Sequence, residues 1–153
     1  MNTRKRNKLT IALIAHDTKK EDMIYLIKTH KLELTDIELV TTRSTGKLIQ
    51  ARIDQEVTLV ESGAMGGDLQ IGAMVADEQI NAVIFLHDPL TSRLEEPDIN
   101  TLLRVCDTHN VPLATNIVSA EAVLHLIIEH PEALGGHRLM AKYLEDMSAV
   151  HES

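Results

Sequence analysis

The chain has 153 residues, of which 44% are apolar and 25% are charged, and this composition is typical of one globular domain. Its formal net charge of −8 argues against nucleic acid or an anionic membrane surface as the main partner, because both attract basic proteins. The chain has no Trp, one Phe and two Tyr, too few aromatic rings for a platform that stacks bases.

The amino terminus combines a basic arm, residues 1–7, with the short apolar run LTIALIA. The run is too short to span a membrane and is followed at once by His16 and Asp17, so it predicts a buried strand rather than a signal peptide. The single cysteine, Cys106, has no internal disulfide partner and lies in an apolar helical pattern. We expect a small core residue and a reducing, cytoplasmic location.

Short apolar runs alternate with helical patterns along residues 8–150, which predicts a single domain. The predicted strands are residues 8–15, 37–41, 57–60, 82–86 and 111–114. The first predicted helix begins near residue 19. Five further helices are predicted at about 46–55, 67–78, 97–110, 119–131 and 138–147. Uniformly apolar strands separated by helices indicate a central parallel five-stranded sheet with helices on both faces, that is, a three-layer α/β domain.

A polar or glycine-rich segment follows each predicted strand. These segments are His16-Asp17, residues 42–46, residues 62–68, His87-Asp88-Pro89 and Thr115-Asn116. The carboxyl ends of parallel strands meet at one edge of a sheet, and open α/β sheets bind their ligands there. The sequence therefore predicts a ligand site at this edge.

Two of these segments have the composition of a phosphate site. Residues 42–46 (TRSTG) and 62–67 (SGAMGG) each precede a predicted helix, whose first N–H groups are unpaired and carry partial positive charge. Glycines let an anion approach the backbone, and Lys20 adds a full positive charge. Taken alone, Thr45 or Ser62 could simply cap a loop. Two such segments at one edge favour phosphate binding.

Four aspartates fall at the same edge, namely Asp17, Asp68, Asp88 and Asp98. Each has a structural explanation by itself, since Asp68 and Asp98 are placed to begin helices and Asp88 precedes a turn proline. Crowded into one pocket, however, like charges raise one another's pKa, and a carboxylate with a raised pKa suits acid–base catalysis near neutral pH. Together with the phosphate segments, the acids favour an enzyme acting on a small phosphorylated metabolite.

The chain resembles the methylglyoxal synthase family. The resemblance lies in IALIAHD with Lys20, in Ser44-Thr45-Gly46, and in the segments SGAMGGDLQIGAMV, VIFLHDPL, EPDI, LLRVCD and VPLATNI. It covers about the first three quarters of the chain, and residues from about Leu124 onward match only loosely. The resemblance implies conversion of dihydroxyacetone phosphate into methylglyoxal and inorganic phosphate, without a metal or an organic cofactor.

Carried over by position, the resemblance implies roles for the matching residues. The candidate catalytic residues are Asp68 as the base, with Asp98, Asp17 and His16 around the reacting carbons. The candidate residues for binding substrate and phosphate are His16, Lys20, Thr42, Arg43, Ser44, Thr45, Ser62, Gly63 and Glu95. The family further implies a homohexamer, inorganic phosphate as a regulator, and a place in a bypass of glycolysis.

Two positions depart from the family pattern. Glu95 stands where the family usually has a histidine, and an ionised carboxylate cannot donate a hydrogen bond to a carbonyl, so we expect reduced turnover. Arg43 stands where the family commonly has a glycine, and its guanidinium could clamp the phosphate or face solvent. His87 lies nearby in sequence, but strand alternation leaves the direction of its side chain open.

An alternative of a different class is a non-catalytic module that senses phosphorylated metabolites, as the regulatory domain of carbamoyl phosphate synthetase does with the same fold. Glu95 and Arg43 favour this alternative. The retained aspartates disfavour it, because a phosphate sensor gains nothing from extra negative charge. A phospho-acceptor receiver domain fits less well, since one aspartate rather than an acidic pair ends the first strand and Thr115-Asn116 stands in place of a lysine.

Overall fold

The computed structural model describes residues 8–91, 97–134 and 136–152, and within them the chain forms five strands and six α-helices. The strands are β1 (Thr10–Ala15), β2 (Glu38–Thr42), β3 (Thr58–Val60), β4 (Ala82–Leu86) and β5 (Leu113–Ala114). The helices are α1 (Lys20–Thr29), α2 (Arg43–Ile53), α3 (Gly67–Ala76), α4 (Ile99–His109), α5 (Ile117–Glu129) and α6 (Gly136–Glu152). The predicted basic arm, residues 1–7, lies outside the described residues.

The strands are all parallel and lie in the order β3-β2-β1-β4-β5. In the central strand β1, Leu13 lies opposite Thr41 of β2 and Ile84 of β4. All six residues of β1 are buried, which explains why its sequence is apolar from Ile11 to Ala15 instead of alternating with polar residues. The predicted parallel five-stranded sheet is confirmed.

Helices cover both faces of this sheet, as predicted. Ile11, Leu13 and Ala15 on one side of β1 belong to a core shared with α1, α2 and α5. Ala12 and Ile14 on the other side belong to a second core shared with α3 and α4. Because β1 contributes to both cores, its position is fixed by packing from two directions, and each fully buried Leu or Ile contributes roughly 1.5–3 kcal/mol.

The order of the strands reverses at β1, since later strands are added first on one side of it and then on the other. The chain adds β2 and β3 on one side of β1, and α3 then crosses the opposite face to reach β4 on the other side. The carboxyl ends of β1 and β4 therefore flank the crevice at which open α/β sheets bind ligands. His16 and His87 directly follow these two strands.

Helix α2 begins at Arg43 rather than at residue 46 as predicted. The reason is Thr42, whose extended backbone (φ −66°, ψ 156°) ends β2 and starts the helix without a loop. Gly46 therefore lies within the first turns of α2, where a Cβ would come within 2.0 Å of Thr41 Oγ1 and 2.1 Å of a methyl group of Leu59. This glycine permits close approach of the helix to the sheet and does not belong to a flexible loop.

The remaining differences from the predicted elements concern the ends of strands and helices. The first and fifth strands are each two residues shorter at the start than predicted. Helix α5 begins at Ile117, two residues early, because the Asn116 side chain accepts the Ser119 N–H and caps the helix. Helix α6 is longer at both ends than predicted. Cys106 is fully buried in α4 as predicted, and burial raises the pKa of its thiol to about 11. In the part of the chain that the structure describes, no helix combines the length and apolarity needed to cross a membrane.

Candidate active site

His16, the residue after β1, has both ring nitrogens engaged by the protein. The Asp88 N–H donates to Nδ1 at 2.9 Å, and Nε2 lies 3.0 Å from the carbonyl oxygen of Pro97. Because the N–H only donates and the carbonyl only accepts, these contacts fit the tautomer that carries its ring proton on Nε2. The side chain is 2% exposed. His16 thus joins the turn after β4 to the segment that precedes α4.

Both polar backbone atoms of Ala15 are held by residues predicted to bind phosphate. Thr45 Oγ1 accepts the Ala15 N–H at 3.3 Å, and Lys20 Nζ donates to the Ala15 carbonyl oxygen. Thr45 Oγ1 also accepts the Thr42 hydroxyl at 3.4 Å. Since the Thr45 oxygen accepts in both contacts, its own hydroxyl hydrogen remains available to an anion. The ammonium of Lys20 lies 3.4 Å from Asp17 Oδ1, so this cation and acid lie side by side.

The glycine-rich segment after β3 brings Asp68 to the first turn of α3. Gly66 has φ +87°, a conformation that residues with a Cβ rarely adopt. The Gly67 N–H donates to the Ser62 carbonyl oxygen at 2.8 Å, and a Cβ on Gly67 would lie 2.0 Å from the carbonyl oxygen of Glu61. The segment is therefore a tightly folded turn that admits only glycine at these points.

The Asp68 carboxylate is buried, at 8% exposure, and each of its oxygens accepts a backbone hydrogen bond. Oδ1 accepts the Leu69 N–H at 3.0 Å, and Oδ2 accepts the Asp98 N–H at 3.2 Å. The segment before α4 also contacts the glycine segment, because a Cβ on Gly63 would come within 2.8 Å of the Pro97 nitrogen. Asp68 is thus fixed between the start of α3 and the start of α4.

The carboxylates of Asp88 and Asp98 each accept hydrogen bonds from other groups of the protein. Thr18 donates its hydroxyl to Asp88 Oδ2 at 2.7 Å and the Leu90 N–H donates to Oδ1 at 2.9 Å. These two hydrogen bonds lower the pKa of Asp88. Asp98 caps α4, because its Oδ1 accepts the Asn100 N–H at 2.9 Å. The structural explanations that the sequence offered for both residues are therefore realised.

Arg43 lies at the same edge of the sheet but is paired with a carboxylate. Its guanidinium is 3.7 Å from Glu61 Oε1, and both side chains are about half exposed, at 47%. The pair links the carboxyl ends of β2 and β3. Ser44, the next residue, is exposed in the first turn of α2. This arrangement agrees better with the expectation that Arg43 faces solvent than with the expectation that it clamps the phosphate.

His87 is a further residue at this crevice that was not among the candidate site residues. Its ring centroid lies 5.0 Å from that of His16 and 5.9 Å from that of Phe85. Burial of the ring lowers the pKa of His87, while the negative charges of Asp88 and Asp98 oppose this effect. The signal for its direction was the alternation of side chains along β4, since His87 directly follows this strand and lies two residues after Phe85.

The structure brings most of the predicted site residues to the carboxyl edge of the sheet. One group of contacts centres on Ala15 and joins Asp17, Lys20, Thr42 and Thr45. A second group, around Pro97 and Gly67, joins His16, Ser62, Gly63, Asp68 and Asp98. Ala15 and His16 are adjacent in the chain, which brings the two groups together. Glu95 lies outside the described residues. Within the described ranges, no group of three or more His, Cys, Asp or Glu residues could hold a metal ion.

Proteins of known family resemble this chain over most of its length. A family model described as an MGS-like domain matches residues 22–115. Methylglyoxal synthase from Moorella thermoacetica is 48% identical over 123 residues, which cover 80% of this chain and 96% of that relative. The corresponding enzyme from Carboxydothermus hydrogenoformans is 51% identical over 119 residues, 78% of this chain and 98% of its own length. The crystal structure of methylglyoxal synthase from Elizabethkingia anophelis NUHP1 matches with a TM-score of 0.74 at 40% identity, over 76% of this chain and 77% of that one.

Proposed function

The chain belongs to the methylglyoxal synthase family, and from that membership we infer that it is a lyase that converts dihydroxyacetone phosphate into methylglyoxal and inorganic phosphate. One observation in the site carries this conclusion. A buried carboxylate, Asp68, is oriented by two backbone N–H groups at the carboxyl edge of the sheet, the edge at which Lys20 and the first turn of α2 also lie. A proton acceptor and an anion site are the two parts that this reaction requires.

The chemistry of the substrate fixes the carbon that loses its proton. Removal from the hydroxymethyl carbon gives an enediolate in which the carbon that bears the phosphate is allylic to the C=C bond, so phosphate can leave. Removal from the carbon that bears the phosphate would place the ester oxygen on the double bond itself and block cleavage. The C–O bond must also stand out of the enediolate plane, and fixed contacts to the phosphate set that torsion.

We assign the role of base to Asp68. Each of its oxygens accepts one backbone N–H, so the carboxylate is held in one orientation while its remaining lone pairs stay available to a substrate proton. Backbone donors of two helices hold the group without competing for the proton. Its burial excludes water, which would otherwise exchange with the enediolate.

We assign the phosphate group to the donors around Ala15. Lys20 supplies a full positive charge, Thr45 supplies its unused hydroxyl hydrogen, and the start of α2 supplies unpaired N–H groups. Thr42 supports Thr45 through its own hydroxyl. The segment at Ser62 and Gly63 closes the site from the side of β3 through its backbone.

His16, Asp17 and Asp98 act next to these groups. In the conformation described, a substrate oxygen could receive the Nε2–H of His16 only by displacing the Pro97 carbonyl, so we assign His16 a positioning role. Asp17 lies beside Lys20 and sets the place of its ammonium. Asp98 orients Asp68 through its backbone N–H. For Glu95, the sequence alone predicts that Glu95→His raises turnover.

We further propose that the protein assembles as a homohexamer and that inorganic phosphate regulates it. Exposed apolar side chains on α6, namely Tyr143, Leu144, Met147 and Val150, support burial against another surface. Phosphate, as the product, fits the donors assigned to the substrate's phosphate group and should compete for them. Light scattering tests the mass of the assembly, and a phosphate titration of the rate tests the inhibition.

The activity is tested by mixing the purified protein with dihydroxyacetone phosphate and measuring methylglyoxal and phosphate together. We expect both products in equal amounts, and a loss of about 10²–10⁴-fold in Asp68→Asn, which keeps the shape of the side chain but not the base. The matched control is Asp22→Asn, an exposed aspartate on α1. Substrate binding in calorimetry without any product would instead select the sensing module.

A further inference from the structure

The inferred reaction moves a second proton besides the one that Asp68 removes. When the C–O bond to phosphate breaks, the hydroxyl-bearing carbon becomes an aldehyde carbon and its O–H proton must leave. The departing phosphate must gain a proton to become hydrogen phosphate. A group that accepts the first of these protons and donates the second would serve both needs. This inference rests on the proposed function and asks which side chain that group is.

Most titratable side chains around the crevice are already engaged. His16 uses both ring nitrogens to hold Asp88 and Pro97. Asp88 accepts two hydrogen bonds, Asp98 caps α4, and Asp17 pairs with Lys20. A group that relays a proton needs a free lone pair to accept it. It must also hold no hydrogen bond on which the structure of the site depends.

His87 meets both conditions. Within the described ranges neither of its ring nitrogens has a hydrogen-bond partner, in contrast to His16. Its ring lies 5.0 Å from that of His16. Phe85, two residues earlier, packs in the core beneath α3 and α4. Asp68 lies in the first turn of α3, and Asp98 caps the start of α4. His87 is partly buried, so its contacts with water are limited.

We propose that His87 is the second acid–base group of this reaction, which takes the proton of the substrate hydroxyl and passes it to the departing phosphate. Asp68 first takes the hydroxymethyl C–H proton, and the C–O bond breaks as the double bond shifts toward the phosphate-bearing carbon. His87 takes the O–H proton as the aldehyde forms and returns it to a phosphate oxygen. Asp68 then returns its proton to the new methylene carbon, which becomes the methyl group of methylglyoxal.

The charge state of His87 fits the first half of this task. Burial of the ring lowers its pKa, although the negative charges of Asp88 and Asp98 oppose this shift. A histidine with a lowered pKa is neutral near pH 7, so it can accept a proton rather than arrive already protonated. The same arrangement makes the histidinium a ready donor once it has formed.

The test separates the step of Asp68 from the step of His87. Exchange of the hydroxymethyl hydrogen with deuterated water, followed by NMR, reports the first proton transfer, and phosphate release reports the elimination. His87→Phe keeps a flat ring against His16 and Phe85, and His87→Gln keeps a polar group. The control is His125→Gln, whose ring on α5 is 69% exposed. Thermal unfolding of every variant checks the fold.

We expect both His87 variants to release phosphate about 10²-fold more slowly while hydrogen exchange continues, and free imidazole to restore part of the rate. In the wild-type protein, we expect the rate of phosphate release to fall at acidic pH as His87 becomes protonated. This fall should be absent in both variants. Phosphate release at the wild-type rate in both variants, or an equal fall in exchange and release, would overturn the role of His87. If the wild-type protein neither exchanges nor releases phosphate, the proposed function itself fails, which is a distinct result.

Discussion

Oδ2 of Asp68 accepts the backbone N–H of Asp98 at 3.2 Å, and this contact ties the first turn of α3 to the start of α4. The Asp98 side chain turns away to its own helix, where Oδ1 accepts the Asn100 N–H. A backbone N–H does not titrate and moves only with its helix. The proposed base is therefore oriented by a group whose position depends on the cap of α4 and not on the charge at residue 98.

Asp98→Asn should consequently retain most of the activity, because an asparagine oxygen caps a helix about as well as an aspartate oxygen. Asp98→Ala should lose about 0.5–2 kcal/mol of stability with the cap, and part of the turnover as Asp68 loses its fixed donor. Urea unfolding and the rate of phosphate release measure the two effects. A collapse of turnover in Asp98→Asn at unchanged stability would show that the charge of Asp98 takes part in the chemistry.

Two glycines of α3 offer a matched pair for testing the turn that holds Asp68. A Cβ on Gly67 would lie 2.0 Å from the Glu61 carbonyl oxygen, whereas the nearest atom to a Cβ on Gly72 is 3.7 Å away. Gly67→Ala should cost about 1–3 kcal/mol or more and lower activity, because the overlapping atom is backbone. Gly72→Ala should be neutral or stabilising by about 0.5–1 kcal/mol. Equal free energies of unfolding in the two variants would contradict this account of the turn.

The fold was predictable because its strongest signals are local. Uniformly apolar strands such as β1 and β4 identified the parallel sheet, and the topology then placed the polar segments at one edge. The start of α2 was missed because an extended Thr42 can continue into a loop or begin a helix, and no residue type distinguishes the two. Its glycine was interpreted as giving an anion access to the backbone, whereas Thr41 and Leu59 require it for close packing of α2 on the sheet.

The contacts within the site were less predictable because their partners are far apart in sequence. His16 is 81 residues from Pro97 and 72 from Asp88, and only the folded chain shows that both ring nitrogens are engaged. The pairing of Arg43 with Glu61 across β2 and β3 likewise depends on the neighbouring ends of two strands. The residue types predicted that a proton acceptor and anion-binding groups would lie at one edge of the sheet. Which of their atoms remain free to bind a substrate depends on the folded structure.

The proposed phosphate site predicts an asymmetry between two lysines of α1. Lys20 is mostly buried beside Ala15, whereas Lys28 is exposed at the other end of the helix. Lys20→Met should raise the KM for dihydroxyacetone phosphate and weaken inhibition by phosphate, each by at least about tenfold, since a charge-assisted contact contributes about 1.5–3 kcal/mol. Lys28→Met should change neither value. Steady-state kinetics measures both values for each variant. Equal KM values and equal inhibition by phosphate in the two variants would show that Lys20 does not bind the phosphate group.

Stability should depend on pH through His30, which bridges the end of α1 to α5. Its Nδ1 lies 3.0 Å from Glu33 and its Nε2 lies 2.6 Å from Glu121. Burial of the ring opposes its charge, but hydrogen bonds and attraction from the two carboxylates outweigh burial, so the pKa of His30 is raised above 6.5.

A raised pKa means that the folded protein holds the His30 proton more tightly than the unfolded chain does. The stabilisation is therefore complete below about pH 6.5 and is lost as pH rises through the higher pKa of the folded state. His30→Gln should unfold at a lower urea concentration than wild type at pH 6, and the gap should narrow by pH 8.5. His125→Gln, whose ring is largely exposed on the same helix as Glu121, is the control and should follow wild type at both pH values. A gap that stays constant between pH 6 and pH 8.5 would mean that His30 stabilises the fold by packing and not by its charge.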